Sequence, residues 1–159
     1  MDGGVHFVAG LRFLLAAAGQ NIKQIAGFSA LLDERLIPVD TIHAVALTQD
    51  GKSGTIGISF GTEFKDGLEV EVVTTNGAVV WNPTEVATLT RKGDAKVEAK
   101  KEFAYDSGVK AEVAEFVRAI EAGKVDARQT PGEALKDLEI LQRLLESGEG
   151  GATVKAIGA

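Results

Sequence analysis

The feature that most constrains this chain is a series of period-two runs closed by tight-turn dipeptides. DTIHAVALT and TIGISFGTE flank Asp50-Gly51, with Ile56, Ile58 and Phe60 alternating onto one face. LEVEVVTT and AVVWNP flank Asn76-Gly77, and Asn-Gly supplies the positive φ angles that a two-residue hairpin turn demands. EVATLTRK and KVEAKKEF, around Gly93-Asp94, form a third pair. Their outward Lys92, Lys96, Lys100 and Lys101 suit a solvated face or an edge protected from mispairing. Strands joined by such short turns run antiparallel, so the pattern predicts a meandering, open, mostly antiparallel sheet of about six strands.

The period changes to that of a helix at both ends of the chain. Val5, Val8, Leu11 or Arg12, and Leu15 follow helical spacing between Val5 and Ala18, and Gly19 stops the run. Ile22 to Leu32 is compatible with a strand, and LLDER with the start of a short turn or helix. Val109 to Ala122 places Val113, Phe116, Val117 and Ile120 on one stripe and ends at Gly123. TPGEALKDLEILQRLLESG opens with Thr130 as N-cap, Pro131 at the first helical position and Glu133 three after the cap. This capping box is worth about 1 kcal/mol and fixes the helix start. Leu135, Leu138, Leu141 or Gln142, and Leu145 are its expected apolar face. One helix, a sheet and two helices make a two-layer α+β fold with the helices on one face. No repeat or linker divides residues 1–159, which read as a single domain.

Composition narrows the partners. With 159 residues, 45% hydrophobic, the chain is long enough to bury a core without staples. Its net charge of -6 and the lack of a basic cluster with interleaved aromatics argue against nucleic acid and anionic membranes. There is no cysteine, and His6 and His43 are the only histidines, so no metal site is expected. The apolar run after Asp2 has no lysine ahead of it, is interrupted by Arg12, and is shorter than the ~20 residues a membrane helix needs. A cytoplasmic protein is the expectation.

Familiar cofactor and nucleophile motifs are missing. Gly51, Gly54 and Gly57 lie in a hairpin and not at a strand-to-helix turn, and neither a phosphate loop nor a G-x-S-x-G elbow occurs. Asp2 and His6, at i and i+4, share a helix face. Exposed, such a pair contributes only ~0.3 to 0.5 kcal/mol, so catalysis by it requires a pocket.

The ordered segments GGVHFVAGLRFLL, QDGKSGTIGISFG, EVVTTNGAVV, FVRAIEAGK and TPGEALKDLEILQRLLESGEGGATVKAI resemble the C-terminal domain of the glucose-fructose oxidoreductase / inositol dehydrogenase / MocA family, from Asp2 to Ile157. Members of that family are typically two-domain NAD(P)-dependent oxidoreductases. An N-terminal Rossmann domain binds the cofactor, and the C-terminal domain shapes the substrate pocket and often builds the oligomer interface. Many carry an Asp-x-x-x-His pattern, which here matches Asp2 and His6. The resemblance implies His6 as proton acceptor from a substrate hydroxyl and Asp2 as its orienting partner. The family's glycine-rich cofactor loop and catalytic lysine, which would precede this segment, are not in the sequence.

Other residues have plainer readings. Arg12 suits an anionic substrate, capping or plain surface exposure, and Phe60 and Trp81 suit ligand stacking or ordinary packing. His43 lies in a strand-like run, as a surface or core histidine. Three functions fit. The first is a substrate-binding and oligomerisation domain derived from an oxidoreductase, with a small-molecule ligand, a homodimer through the sheet, no bound cofactor and no redox activity alone. The second is a cofactor-free isomerase, cyclase or lyase of small-molecule biosynthesis, motivated by Met1 directly before Asp2. The third is a non-catalytic partner of a full-length relative.

Overall fold

In chain order the elements are α1 (Gly4–Ala17), β1 (Ile22–Ala30), β2 (Thr41–Thr48), β3 (Ser53–Ser59), β4 (Val70–Thr74), β5 (Gly77–Asn82), β6 (Glu85–Lys92), β7 (Ala95–Glu102), α2 (Val109–Ala122), α3 (Pro131–Glu149) and β8 (Lys155–Ala156). They are taken from a computed structural model that describes residues 3–158. Every strand pairing is antiparallel. The strands number eight and form two four-stranded sheets, in the orders β3-β2-β1-β8 and β4-β5-β6-β7. The fold is therefore α+β and antiparallel. It departs from one meander of six because pairing lapses between Ser59 and Val70, and because the two-residue β8 is too short to leave a periodic signature.

Two compact units result, one of residues up to 66 and from 131 onward, the other of residues 67–130. In the first, α1 and α3 cover one face of the β3-β2-β1-β8 sheet. Val8, Ile22, Ile25, Ile42, Ala44, Ala46, Ile140 and Leu144 form its core, with Leu11 and Leu15 packed against it. This is the face that the alternation in β2 specifies: Ile42, Ala44 and Ala46 point in, His43, Val45 and Leu47 out.

The inward face of α3 differs from the leucine stripe of the sequence. Leu135 and Leu138 are exposed, and the buried residues are Asp137, Ile140, Leu141, Leu144 and Ser147. Two polar residues turn inward because each has a partner there. Arg12 of α1 donates to the Asp137 carboxylate. Ser147 Oγ accepts from Gly27 N at 2.9 Å and donates to the Thr153 carbonyl at 2.8 Å. Gly27 lies just past the pairing of β1 with β8, so the serine hydroxyl satisfies an edge N–H that no strand reaches. Gly27 must itself be glycine, since a Cβ there would stand 2.5 Å from that of Ala44.

In the second unit β4 to β7 form a meander; Gly93-Asp94 makes its turn as predicted, whereas the turn between β4 and β5 is Thr75-Asn76, one residue earlier than Asn76-Gly77, because Gly77 already pairs with Thr74 as extended backbone. β7 is exposed along its whole length as an edge strand carrying lysines, with Lys100 between Glu85 and Glu98 at 3.7 and 3.4 Å. α2 spans the predicted residues and ends on Gly123 at φ 60°.

Candidate functional site

α1 starts at a pair of glycines, and a phenylalanine from the end of β3 lies against that start. The Phe60 ring stacks on Phe7, with centroids 6.1 Å apart and planes 24° apart. A Cβ on Gly3 would come within 3.2 Å of Phe60 Cζ, so the absence of a side chain at Gly3 admits the ring. His6, next to Phe7 in the first turns of α1, is exposed. His6 and Phe60 thus share the N-terminal end of α1. Asp2, the proposed partner of His6, lies outside the described residues.

Phe60 is held from below by Asp40, a side chain 1% exposed. Phe60 N donates to the Asp40 carbonyl at 2.9 Å. The Asp40 carboxylate accepts from Leu32 N at 3.0 Å, Asp33 N at 2.7 Å and Thr41 Oγ1 at 2.9 Å. Burial pushes this carboxyl up, but the N–H groups of Asp33 and Leu32 and the Thr41 hydroxyl outweigh it and hold it below the usual carboxylate range. Gly61 packs directly on the carboxylate, where a Cβ would fall 2.1 Å from Oδ2. Asp40 therefore ties the 31–33 segment and the Phe60 segment to the same point. Sequence reasoning missed it, although an acidic residue opening an apolar strand was the available signal.

The other candidates lie elsewhere. Arg12 is six residues along α1 from His6, roughly 9 Å along the axis and on another face. Its guanidinium is engaged by Glu133 at 2.7 Å and by Asp137, and these carboxylates outweigh the effect of burial to hold it above the ordinary arginine value. It also borders a cleft of about 360 Å³ with Gln20, Asn21, Lys23 and Lys136. Trp81 belongs to the second unit, half-buried in β5 opposite Val70 and Val86. His43 is exposed on the outer face of β2, opposite Phe28 and Gly57.

Among the described residues no three histidines, aspartates or glutamates converge as metal ligands. No helix among them is long and apolar enough to cross a membrane. Among the described residues every strand pairing is antiparallel and no glycine-rich turn leads from a strand into a helix, so they do not include the βαβ unit on which a dinucleotide is held.

No known family model matches the chain. Dehydrogenase FPY6 of Fusarium mangiferae is 46% identical to it over 158 residues, 99% of this chain and 45% of that protein. In fold it is similar to levoglucosan dehydrogenase, solved with NADH and levoglucosan, at TM-score 0.80 and 12% identity, covering 98% of this chain and 49% of that one. It is similar also to an inositol dehydrogenase homologue from Azotobacter vinelandii, solved with NAD+, at TM-score 0.72 and 14% identity, covering 98% and 47%. The chain spans about half the length of each of these proteins. The chain matches roughly the C-terminal half of such oxidoreductases, which fits a C-terminal domain of the glucose-fructose oxidoreductase / inositol dehydrogenase / MocA type.

Proposed function

We propose that this chain is the substrate-binding and assembly domain of an oxidoreductase, with His6 taking a proton from a hydroxyl of a small-molecule substrate. The observation that carries this reading is that His6 is exposed in the first turns of α1, the end of the helix at which Phe60 stacks on Phe7. The aromatic faces offer an apolar wall for a carbon skeleton, and the imidazole is the side chain suited to hydroxyl deprotonation near neutral pH. Asp2 is the proposed orienting partner. No redox step is assigned to this chain by itself, because its elements hold no dinucleotide cradle. Assembly through the β3-β2-β1-β8 sheet is supported by its helix-free face, where Phe28 and Val45 are 66% and 53% exposed.

Two titrations test the reading. NADPH added to the protein, followed by Trp81 fluorescence, is expected to give no saturable change up to about 1 mM; a dissociation constant near 10 µM overturns the cofactor part. Levoglucosan and myo-inositol, named for the relatives' chemistry, are then titrated against the His6 imidazole resonances, assigned with His6→Ala. Saturable shifts confined to His6 and its neighbours are expected of one of them. Shifts that persist unchanged elsewhere in His6→Ala and Phe60→Ala place binding away from this site and overturn it.

A further inference from the structure

The cleft that Arg12 borders lies toward the far end of α1 from Phe60. Its volume of about 360 Å³ falls within the range of about 300 to 1,000 Å³ that small-molecule sites occupy. Leu15, which lines it, comes nine residues after His6, roughly 13 Å along the helix axis. The turn after α1, the start of β1, α3 and the residues after β8 converge on it. Leu15, Ile22, Ile140 and Ile157 are its apolar lining, and Gln20, Asn21 and Gln49 bring carboxamides. Gln20 Nε2 is fixed on Asp50 at 2.7 Å, which leaves Gln20 Oε1 buried and without a hydrogen-bond donor among the described residues. The chain thus supplies an acceptor at this cleft that its own groups do not satisfy.

The charged residues around the cleft divide into those that are paired and those that are not. The Arg12 guanidinium is held by Glu133 and Asp137, and Lys136 Nζ meets Glu133 at 2.6 Å. Lys23 and Glu139 remain, of opposite sign, and neither forms an ion pair among the described residues. Arg143, four residues after Glu139, is held by Glu146 at 2.8 Å. Consecutive N–H groups tie Lys23 and Glu139 to one dipeptide: Ile157 N donates to the Lys23 carbonyl and Gly158 N to Glu139 Oε1, each at 2.9 Å. Lys23 falls where β1 slips by one residue against β2, a bulge that takes its side chain out of the strand's alternation. An ammonium and a carboxylate therefore border one cleft without neutralising each other.

We propose that this cleft binds a free α-amino acid with an aliphatic side chain, its carboxylate on Lys23, its ammonium on Glu139 and its side chain against the isoleucines. A zwitterion matches the two charges that the chain leaves over. An anion would answer Lys23 and leave Glu139 opposed, a cation would do the reverse, and an uncharged molecule would answer neither. Glu139 Oε2, which Gly158 does not occupy, is the acceptor for the ammonium. The site stands apart from the one assigned to His6 and does not depend on it.

Amide and carboxamide NMR spectra of the protein, titrated with L-leucine, L-leucinamide and 4-methylpentanoate, test this. The three probes share a side chain, and the last two each lack one charge of the first. L-Leucine is expected to shift the Gly158 amide and the Gln20, Asn21 and Gln49 carboxamides saturably, with a dissociation constant of about 1 mM. The two singly charged probes are expected to bind about 10-fold more weakly or worse. Lys23→Gln, and Glu139→Gln, which keeps an acceptor for Gly158 N, are each expected to weaken L-leucine by about 10-fold, with circular dichroism confirming the fold. Lys100→Gln, which removes a lysine charge from the second unit, is expected to change nothing. No saturable shift up to about 100 mM L-leucine overturns the site. Equal binding of either singly charged probe overturns the zwitterion, and L-leucine binding unchanged in both glutamine variants overturns the assignment to Lys23 and Glu139.

Discussion

Arg12 of α1 and Asp137 of α3 form an ion pair that turns a charged residue of α3 into the core side of the helix. The Asp137 side chain is 11% exposed and that of Arg12 21%. Glu133, one turn earlier on α3, receives the second guanidinium nitrogen at 2.7 Å. A planar fork meeting two carboxylates fixes the rotation of one helix against the other, which a set of leucines alone does not.

Arg12→Met is accordingly expected to destabilise the fold by about 2 kcal/mol, because Asp137 then remains inside without its cation. Arg12→Met combined with Asp137→Leu is expected to recover most of that loss. Urea denaturation of the four variants in a double-mutant cycle measures it. A near-zero coupling energy shows the pair to be incidental.

Ser147→Ala removes the hydroxyl that accepts from Gly27 N and donates to the Thr153 carbonyl. The expected cost is about 1 to 3 kcal/mol, that of a buried unsatisfied N–H. Hydrogen exchange localises the effect, with Gly27 losing protection more than its neighbours in β1. Uniform loss along the strand contradicts the local role.

Gly61→Ala puts a methyl group 2.1 Å from Asp40 Oδ2, so the backbone has to move. A loss of about 1 to 3 kcal/mol is expected, together with displacement of Phe60 from Phe7. Ring-current shifts of the Phe7 resonances report the second effect. If stability falls and those shifts persist, Asp40 does not position the aromatic pair.

Acid is expected to weaken the fold through specific carboxylates. Asp33 is lowered to about 2, chiefly by the Arg35 guanidinium, and Asp126 to about 2 by Arg128, while Asp40 is lowered by its N–H and hydroxyl donors. Each has a folded value below its unfolded one, so its contribution is complete above about pH 4 and is lost as pH falls toward 2. Urea midpoints from pH 7 to 2.5 are expected to hold nearly level to about pH 5 and to drop below pH 4, with a shallower drop in Asp40→Asn. A level profile down to pH 2.5 contradicts this account.

Local sequence determined much of this protein. Gly93-Asp94 fixes its hairpin as a two-residue turn between paired Lys92 and Ala95, while the other two signals place their hairpins but not their turns: Thr75 and Asn76 form the one, with Gly77 opening β5, and Asp50-Gly51 sits in a longer loop between paired Leu47 and Ser53. Gly123 and the Thr130-Pro131 pair bound their helices through φ restrictions that act within a few residues. The order of segments from Asp2 to Ile157 was enough to carry the family resemblance. Tertiary structure decided what depended on partners far along the chain. Whether α3 buries Leu138 or Asp137 turns on an arginine 125 positions away, and whether β1 ends exposed turns on Ser147. Phe60 meets α1, Trp81 falls in the other unit, and His43 stands exposed on β2 opposite Phe28 and Gly57. Periodicity reports which side of an element is apolar, but the energy of a buried polar group is set by the partner it finds, and that partner is known only once the chain has closed on itself.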